Sequence, residues 1–548
     1  MPLQKNQVLT LRVERLSSDG SGVAHSPDGE TVFIPGAAPG DEARVRIVKD
    51  CKRYAFGILD EVLTPSPDRI PVDCAVAGPC GGCSLRHLDY AAELRAKQEN
   101  VADAFARIGG LDVPVLPIVG SPEVNRYRNK VQFPVGVDKS GKPCIGFYAG
   151  RTHRIVPCPD CRLQPGVLNE IGNALCAFFA EKGIQPYSEE TGRGLVRHIF
   201  LRRGAHSGQI MVCLVCTRAK LPSAEELCTR LKAQFAEITT ILLNVNAKNT
   251  NVILGTETHT LYGQGYIEDT LCGVPVQLGP LSFYQVNTLA AEQLYGIAAQ
   301  YAQLTPDDLL LDLYCGMGTI GLSMAAHCRE LIGVEIVPEA IESAKANAAR
   351  MGADVAAKSR FFCADAGQAA TRLAAEGLHP DIVMLDPPRK GCDEATLSAV
   401  VRMAPRRVVY VSCNPATAAR DAAWLEQNGY HAEKVQPVDL FPRTRHCEAV
   451  LLLSKLHVDR HIEVDVNMEE LDVTAAESKA TYNEIRDYVW EHHQLKISNL
   501  YIAQVKQKYG IIERENYHKA KNENAKQPKC PKKKEDAIVE ALRHFQMI

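Results

Sequence analysis

The sequence predicts a multidomain α/β protein. With 548 residues the chain is too long for one hydrophobic core, and three to five domains are expected. Short strand patterns separated by close turns fill residues 4–63, whereas apolar strands alternate with helical patterns in the later half of the chain. Changes in these patterns predict domain bounds at 1–64, 65–122, 123–278, 279–455 and 456–548.

The composition indicates a globular protein without a strong overall charge. Hydrophobic residues make up 46% and charged residues 23% of the chain, and the formal net charge is −3. Nucleic acid would therefore have to be bound by local basic patches. The sequence shows no secretory signal and no apolar stretch long enough to cross a membrane, so we expect a cytoplasmic protein. In such a protein the 19 cysteines indicate metal binding or catalysis more than disulfides.

The N-terminal residues predict a small β-barrel. Residues 8–13 alternate between apolar and polar side chains, and two further strand patterns follow after turns containing glycine and proline. Arg44 and Arg46 alternate along the third strand and could contact RNA. The alternative is a purely structural barrel with an ordinary solvated face.

A cysteine-rich segment follows the linker at residues 64–67. Cys74, Cys80 and Cys83 surround two glycines, whose lack of Cβ atoms lets the backbone approach a metal centre closely. A fourth ligand would come from Cys158 or Cys161. Four thiolates suit either an iron–sulfur cluster or a zinc ion, and the spacing leaves both open. A fully ligated centre of either kind would be structural.

The central region, residues 123–278, combines basic and aromatic residues. Residues 125–130 interleave cations with Tyr127, and residues 194–203 predict a strand with basic ends. Residues 244–255 predict a hairpin. Cations contact phosphates and aromatic rings stack on unpaired bases, so this region predicts contacts with single-stranded RNA. For any single arginine an ordinary solvated sheet is the alternative.

A glycine-rich turn predicts a nucleoside-binding, Rossmann-like domain. The apolar strand at 309–313 leads into the motif Gly316-x-Gly318-x-x-Gly321, and Glu335 follows a second strand, where it can bond ribose hydroxyls. This motif alone does not separate NAD from S-adenosylmethionine. Asp312 and the Asp365 that follows the next strand favour the methyl donor.

Two further strands of this domain end in polar motifs. The apolar strand at 382–385 ends in Asp386-Pro387-Pro388, a rigid turn that would direct Asp386 towards a donor or a flipped base and that a dehydrogenase does not need. Cys413 lies between a valine-rich strand and a helix begun by Pro415, at the sheet edge where substrates bind. The helix N-terminus would favour a thiolate, although a small buried core cysteine is the alternative.

These motifs resemble those of the RNA (uracil-5-)-methyltransferases, and the resemblance covers the chain up to about Lys455. It implies a class I S-adenosylmethionine methyltransferase domain in which Cys413 is the nucleophile. Glu448, in Thr444-x-His446-x-Glu448, would be the general base. Phe283 would lie near the target base. The donor would be held by Gln285, Tyr314, Glu335 and Asp386.

The resemblance also extends to the N-terminal half. It implies an oligonucleotide-binding (OB)-like TRAM domain and a [4Fe–4S] cluster ligated by Cys74, Cys80, Cys83 and Cys161. The combination is similar to the branch that modifies 23S ribosomal RNA, with no membrane and no obligate protein partner implied. Alternatives are a transfer-RNA methyltransferase, a radical S-adenosylmethionine enzyme and a non-catalytic ribosome-assembly factor. The cysteine spacing departs from the radical-enzyme motif.

Beyond Lys455 the sequence predicts a small helical module, for which a winged-helix-like arrangement is one candidate. A capping box at 474–477 precedes a helical pattern containing Ile485 and Val489. A second helix begins at Ser498, and a lysine-bearing stretch at 526–534 leads into a last helix. Contact with RNA and a solvated appendage both remain open for this module.

Overall fold

A computed structural model describes residues 3–150, 152–248, 250–456, 482–509, 530–545 and 547–548. The chain forms two compact units, residues 1–457 and residues 458–548. The predicted multidomain α/β fold is confirmed, with a closed N-terminal barrel, a Rossmann-like sheet and a helical C-terminal region.

The N-terminal residues form a closed five-stranded barrel in the order β1-β2-β3-β5-β4. Alternate residues point inwards, and Val13, Val32 and Ile47 are fully or almost fully buried. The cations Arg44 and Arg46 are paired with Glu61 and Asp60 on the neighbouring strand. The strands are β1 (Val8–Leu16), β2 (Ser21–His25), β3 (Thr31–Pro35), β4 (Glu42–Asp50) and β5 (Tyr54–Thr64).

The cysteine-rich segment leads into helix α1 (Tyr90–Ala104), which ends in a π-helical turn, Phe105–Gly109. Asp89 caps the helix by accepting a hydrogen bond from the Ala92 N–H at 2.9 Å.

The central region is a seven-stranded mixed sheet in the order β12-β11-β10-β9-β6-β7-β8. One face is covered by two helices, whose Phe179 and Leu231 pack in one core with Val212 and Leu214 of the sheet. The elements are β6 (Lys130–Val137), β7 (Pro143–Tyr148), β8 (Ile155–Pro157), α2 (Gly166–Glu181), β9 (Val196–Arg203), β10 (Ile210–Cys216), α3 (Ala224–Gln234), β11 (Ile238–Val245) and β12 (Glu257–Tyr262).

The predicted hairpin at 244–255 is only partly correct. β11 and β12 pair in antiparallel register, but residues 250–255 lie in the connection between them, not in a strand. The Asn246 side-chain amide donates to the carbonyl oxygens of Val252 and Ile253 at 2.7 and 3.0 Å. These side-chain bonds replace strand pairing in an apolar run that otherwise has strand character.

Residues 267–455, named the catalytic half here because they include the predicted methyltransferase domain, contain a two-stranded hairpin and a seven-stranded sheet. The sheet order is β17-β16-β15-β18-β19-β21-β20, and β21 runs antiparallel to both neighbours. The strands are β13 (Ile267–Leu271), β14 (Val274–Leu278), β15 (Leu309–Leu313), β16 (Glu330–Glu335), β17 (Ser359–Cys363), β18 (Ile382–Leu385), β19 (Arg407–Ser412), β20 (Tyr430–Val438) and β21 (Glu448–Lys455). The helices are α4 (Thr288–Ala302), α5 (Thr319–Met324), α6 (Pro338–Met351), α7 (Ala353–Lys358), α8 (Ala366–Ala375), α9 (Glu394–Met403) and α10 (Pro415–Gln427), and a 3₁₀ turn, Ala325–His327, follows α5.

Helix α1 belongs structurally to this catalytic half, although it lies far earlier in the chain. Val101 and Phe105 are buried in the same core as Leu425 of α10. Val115 and Val119, further along, form parallel bridges with the outer edge of β20. The segment 90–119 therefore covers one side of the catalytic sheet and one of its edges.

The C-terminal unit contains α11 (Tyr482–His493), α12 (Asn499–Lys508) and α13 (Lys532–His544). Ile485 and Val489 pack with Ile538 and Leu542 in one small core. Ser498 directly precedes α12, as predicted. The predicted capping box at 474–477 and two lysines of the basic stretch, Lys526 and Lys529, lie outside the described residues. Among the helices of the described ranges, none is long and apolar enough to cross a membrane.

Candidate active site

The turn between β19 and α10 presents Cys413 at the carboxyl edge of the sheet. The Asn414 side chain caps α10 by accepting from the Ala416 N–H at 3.2 Å, and Pro415 is the first helical residue. The Ser412 hydroxyl oxygen accepts from the Asn414 N–H at 3.0 Å. These local bonds hold the Cys413 side chain in a half-buried position.

The resting Cys413 is a thiol. Burial raises its pKa above the usual value, and the carboxyls of Glu448 and Asp386 raise it further. The Arg389 guanidinium interacts with the sulfur and opposes these effects without reversing them. The α10 N-terminus, which is expected to favour a thiolate, is thus opposed by burial and by two neighbouring carboxyls.

Glu448 begins β21 and is buried, with 5% of its surface exposed. Burial raises the pKa of its carboxyl to about 8, with Asp386 adding to the effect and Arg389 opposing it. The pKa of Asp386, the residue after β18, is raised by burial to about 7. Three acidic groups therefore influence one another here, and each holds its proton more tightly than in water.

The Asp386-Pro-Pro turn and the Cys413 turn are joined directly. The Arg389 carbonyl oxygen accepts from the Asn414 side-chain amide at 3.0 Å and from the Thr417 hydroxyl at 3.3 Å. The guanidinium of the same residue acts on both Cys413 and Glu448. Arg389 was not singled out from the sequence, although it stands three positions after Asp386 in a motif that was.

The glycine-rich turn after β15 forms the neighbouring pocket. Tyr314 has a left-handed backbone (φ 67°), as do Gly316 and Gly318 after it, so a non-glycine residue is held in a strained conformation. The two oxygens of the Glu335 carboxylate accept from the Gly316 N–H at 3.2 Å and the Val337 N–H at 3.0 Å. These bonds fix the Glu335 carboxylate at the end of β16.

Asp312 lies beneath this turn and is 1% exposed. One of its oxygens accepts from the Gly321 N–H at 3.0 Å, while the other, Oδ1, has no hydrogen-bond partner. Burial raises its pKa to about 8. An unpaired buried carboxyl oxygen is costly unless a ligand satisfies it, so this atom marks the pocket as a site for a polar or cationic group.

The segment before α4 lies on the other side of the pocket. Phe283 is 72% exposed, whereas Gln285 is half-buried and contacts the Tyr295 hydroxyl. Arg202 of β9 donates to the carbonyl oxygens of Gly279 and Ser282, each at 2.7 Å, and so supports this segment from the central sheet. Tyr295 was missed because its position in α4 fits ordinary helical core spacing.

The cysteines come together from two segments. Cys158 and Cys161 share a hydrogen bond, which lowers the pKa of Cys161 to about 6 despite burial. Cys74 and Cys80 act electrostatically on Cys158, and Cys80 and Cys161 act on Cys83. Within the described ranges, however, no three His, Cys, Asp or Glu side chains are arranged to hold a metal ion. The cysteine sulfurs are thus ligands of the kind that a metal cluster takes, but the described side chains form no ready-made metal site.

Comparison with known protein families matches two parts of the chain. Residues 2–59 match the TRAM domain, and residues 205–456 match the tRNA (uracil-5-)-methyltransferase family. An uncharacterised RNA methyltransferase of Halalkalibacterium halodurans is 43% identical over 453 residues, which span 82% of this chain and 98% of the relative. A relative of the same description from Listeria monocytogenes is 42% identical over 455 residues, with the same coverage.

A solved structure supports the same conclusion. The tRNA (uracil-54, C5)-methyltransferase of Pyrococcus abyssi, in complex with S-adenosyl-L-homocysteine, superposes with a TM-score of 0.65 at 27% identity. The match covers 82% of this chain and all of that one. The bound homocysteine derivative is the product that remains when S-adenosylmethionine gives up its methyl group. The chain therefore belongs to the S-adenosylmethionine-dependent RNA (uracil-5-)-methyltransferase family.

Proposed function

We propose that this protein methylates carbon 5 of uridine in RNA through a covalent adduct between Cys413 and carbon 6. The observation that carries the proposal is the convergence of Cys413, Glu448, Asp386 and Arg389 beside the glycine-rich turn. A thiol nucleophile, buried carboxyls and a cation that interact electrostatically with one another provide the groups that this reaction needs.

The chemistry follows from the weak nucleophilicity of uracil carbon 5. After Cys413 loses its proton, its sulfur adds to carbon 6, and the electron pair displaced from the ring double bond makes carbon 5 nucleophilic. S-adenosylmethionine supplies the methyl group that carbon 5 accepts. Glu448 then removes the carbon 5 proton, the double bond re-forms and Cys413 leaves as a thiolate. Asp386 is our candidate for accepting the Cys413 proton, because it interacts with the thiol and burial raises its pKa to about 7, which makes it a stronger base than an ordinary carboxylate.

We propose that Gln285, Tyr314, Glu335 and Asp386 hold the methyl donor. The Glu335 carboxylate, fixed by two backbone N–H groups, suits ribose hydroxyls. The unpaired Oδ1 of Asp312 suits the positive end of the donor. Together these residues offer hydrogen-bonding carboxyl, amide and hydroxyl groups to a cationic nucleoside.

The proposed substrate is 23S ribosomal RNA. The target uridine must leave its stack to reach Cys413, so we expect a loop or a locally opened helix. The exposed ring of Phe283 and the barrel offer surfaces for the splayed bases and their flanking strand. Transfer RNA is the competing substrate, because the solved relative acts on uridine 54 of transfer RNA.

We also propose that Cys74, Cys80, Cys83 and Cys161 hold a [4Fe–4S] cluster with a structural role. A cubane binds each thiolate to a separate iron, so its ligands need not close around one ion as zinc ligands do. Iron and sulfide analysis of protein purified without oxygen tests this assignment. Stoichiometric zinc without iron would instead show that the cysteines hold a zinc ion.

The decisive experiment maps 5-methyluridine in RNA from a strain that lacks the gene, by nuclease digestion and mass spectrometry. We expect loss at defined ribosomal uridines, restored by the wild type but not by Cys413→Ala. Purified Cys413→Ala should still bind S-adenosylmethionine. Loss of 5-methyluridine in transfer RNA would support the proposed reaction but assign transfer RNA as the substrate. No loss in any RNA would favour a non-catalytic assembly factor.

A further inference from the structure

A buried group of charged residues ties helix α1 to the loop 439–447, which connects β20 to β21. The side chains of Lys97, Glu93 and Asp439 are at most 1% exposed. The Lys97 ammonium donates to Glu93 Oε1 at 2.7 Å, to Asp439 Oδ1 at 2.8 Å and to the Phe441 carbonyl oxygen at 3.1 Å. All three of its N–H donors are therefore used, and the two carboxylates keep the pKa of Lys97 high despite burial.

Arg443 makes the second connection between the loop and the segment before α1. Its backbone is left-handed (φ 68°), a conformation that costs energy for a residue with a Cβ atom. Its N–H donates to Glu93 Oε1 at 2.7 Å, and its guanidinium donates to the Leu88 carbonyl oxygen at 2.8 Å. The surrounding contacts thus hold the loop in a shape that it would not adopt by itself.

Four consecutive carbonyl oxygens of the loop, at residues 440–443, each accept a hydrogen bond from a distant part of the chain. The donors are the Asn287 side chain, Lys97, the Tyr127 hydroxyl and the Leu85 N–H. Glu448 follows this loop directly and pairs with Val438, the residue before the loop. The path of the loop therefore constrains the start of β21, where the Glu448 carboxyl lies.

Stability alone does not account for this arrangement. Burying several charges costs more desolvation energy than packing apolar side chains of the same size, even when the charges are paired. A paired buried network does, however, define one geometry sharply, because any other leaves a charge unpaired. A sharply defined geometry matters for the loop 439–447, because this loop leads directly to Glu448.

We propose that Lys97 and Asp439 are positioning residues for the methyl-transfer site, which hold the loop 439–447 so that the Glu448 carboxyl faces Cys413. This inference rests on the proposed function, in which Glu448 removes the carbon 5 proton. Helix α1, which follows the cysteine-rich segment, would then help to position the Glu448 carboxyl.

The test uses the double variant Lys97→Met/Asp439→Asn, which removes one positive and one negative charge together. We expect donor binding and attack by Cys413 to persist, while proton removal slows by about tenfold to a hundredfold, the effect of a small misplacement of a reacting group. The methylated RNA–protein adduct should accumulate on denaturing gels. An effect on folding alone would instead lower donor binding, adduct formation and turnover in parallel, and would overturn the inference.

The matched control is Arg95→Met/Asp68→Asn, which removes a charge pair formed by the same helix. The Arg95 side chain is 57% exposed, so this pair defines no buried geometry, and wild-type turnover is expected. If the Lys97→Met/Asp439→Asn protein does not fold, Tyr127→Phe serves instead, since it removes only the hydroxyl that donates to the Pro442 carbonyl oxygen. A smaller accumulation of the same adduct is expected.

Glu448→Gln separates the two proposals. If Glu448→Gln traps no adduct, the proposed role of the base fails. If Glu448→Gln traps the adduct while Lys97→Met/Asp439→Asn and Tyr127→Phe release RNA at the wild-type rate, only the positioning role is overturned.

Discussion

Burial raises the pKa of three neighbouring groups: the Cys413 thiol and the carboxyls of Asp386 and Glu448. In the free protein, the proposed nucleophile and the proposed base therefore hold their protons more tightly than the same groups do in water. A protonated thiol reacts slowly with oxidants and alkylating agents, so the resting site is protected until the pocket fills. Arg389 is the cation in contact with the sulfur that can stabilise the thiolate when it forms.

This arrangement predicts a rate that rises with pH. Because the pKa values of Glu448 and Asp386 are raised to about 8 and 7, both carboxyls carry protons at pH 6 and lose them as the pH rises. We expect kcat/KM to increase from pH 6 upwards and to level off above about 8, with apparent pKa values that belong to the group as a whole. Single-turnover methylation with saturating donor measures this. A rate that is flat or falling between these limits would contradict it.

A second prediction distinguishes Cys158 from Cys161. Cys161 is the proposed fourth ligand of the cluster, and Cys158, which shares a hydrogen bond with it, would be a supporting residue. We expect Cys161→Ala to abolish bound iron, and Cys158→Ala to retain most of it. Iron analysis of both proteins, purified without oxygen, measures the difference. The reverse pattern would exchange the two roles.

The residues that the sequence analysis could identify share one property. Cys413 and Asp386 stand at strand ends within short motifs, so their place at the sheet edge could be inferred locally, whereas the role of Glu448 was implied only by the family resemblance. Tyr295 and Lys97 sit on helices at ordinary spacing, and only long-range packing shows what they contact. The raised pKa of Cys413 could not be foreseen either, because it depends first on burial and then on carboxyls brought in from two other strands.

At the scale of elements, boundaries were predictable where a local cap exists. Helix α4 begins at Thr288, where the Asn287 side chain, a residue type typical of helix caps, accepts from the Ala290 N–H at 3.3 Å. The run at 252–254 has strand composition, yet Asn244 and Asn246 bind the carbonyl groups of this connection and remove it from the sheet. Side-chain amides compete with strand pairing in a way that apolar patterns do not reveal.

The barrel provides a prediction about packing. A Cβ atom at Gly57 of β5 would lie 2.3 Å from Val45 Cγ1 of β4, so Gly57→Ala should lower the free energy of unfolding of the barrel by about 1–3 kcal/mol. Hydrogen exchange of residues 8–64 measures the change.

Gly296→Ala is the control for this substitution. The glycine lies on the exposed side of α4 and a Cβ atom there meets nothing within 4 Å, so a stabilisation of about 0.5–1 kcal/mol is expected. A Gly57→Ala barrel that exchanges as slowly as the wild type would show that β4 and β5 can move apart.

At the scale of the whole molecule, the chain is longer than its relatives. The alignment with the Halalkalibacterium relative covers 98% of that protein but only 82% of this one. The family match ends at residue 456, and residues 458–548 form a separate compact unit. The C-terminal unit is therefore an addition to the length that the relatives share.

This predicts that a fragment of residues 1–456 keeps the reaction. All proposed catalytic and donor-binding residues lie within it, so donor affinity and turnover on a transcribed RNA fragment should match those of the full chain. Calorimetry and methyl-transfer assays measure both. Normal donor affinity with reduced turnover at low RNA concentration would instead assign RNA binding to the C-terminal unit.

The buried ion pair between Lys97 and Asp439 also has a consequence for biosynthesis, because the two residues are 342 positions apart in the sequence. At a synthesis rate of about 5–20 residues per second, α1 leaves the ribosome roughly 20–70 s before its partner does. During that interval its paired charges and apolar side lack their final neighbours. The catalytic sheet is therefore completed late in translation, and a slowed or truncated nascent chain that ends before β20 presents α1 to chaperones and proteases.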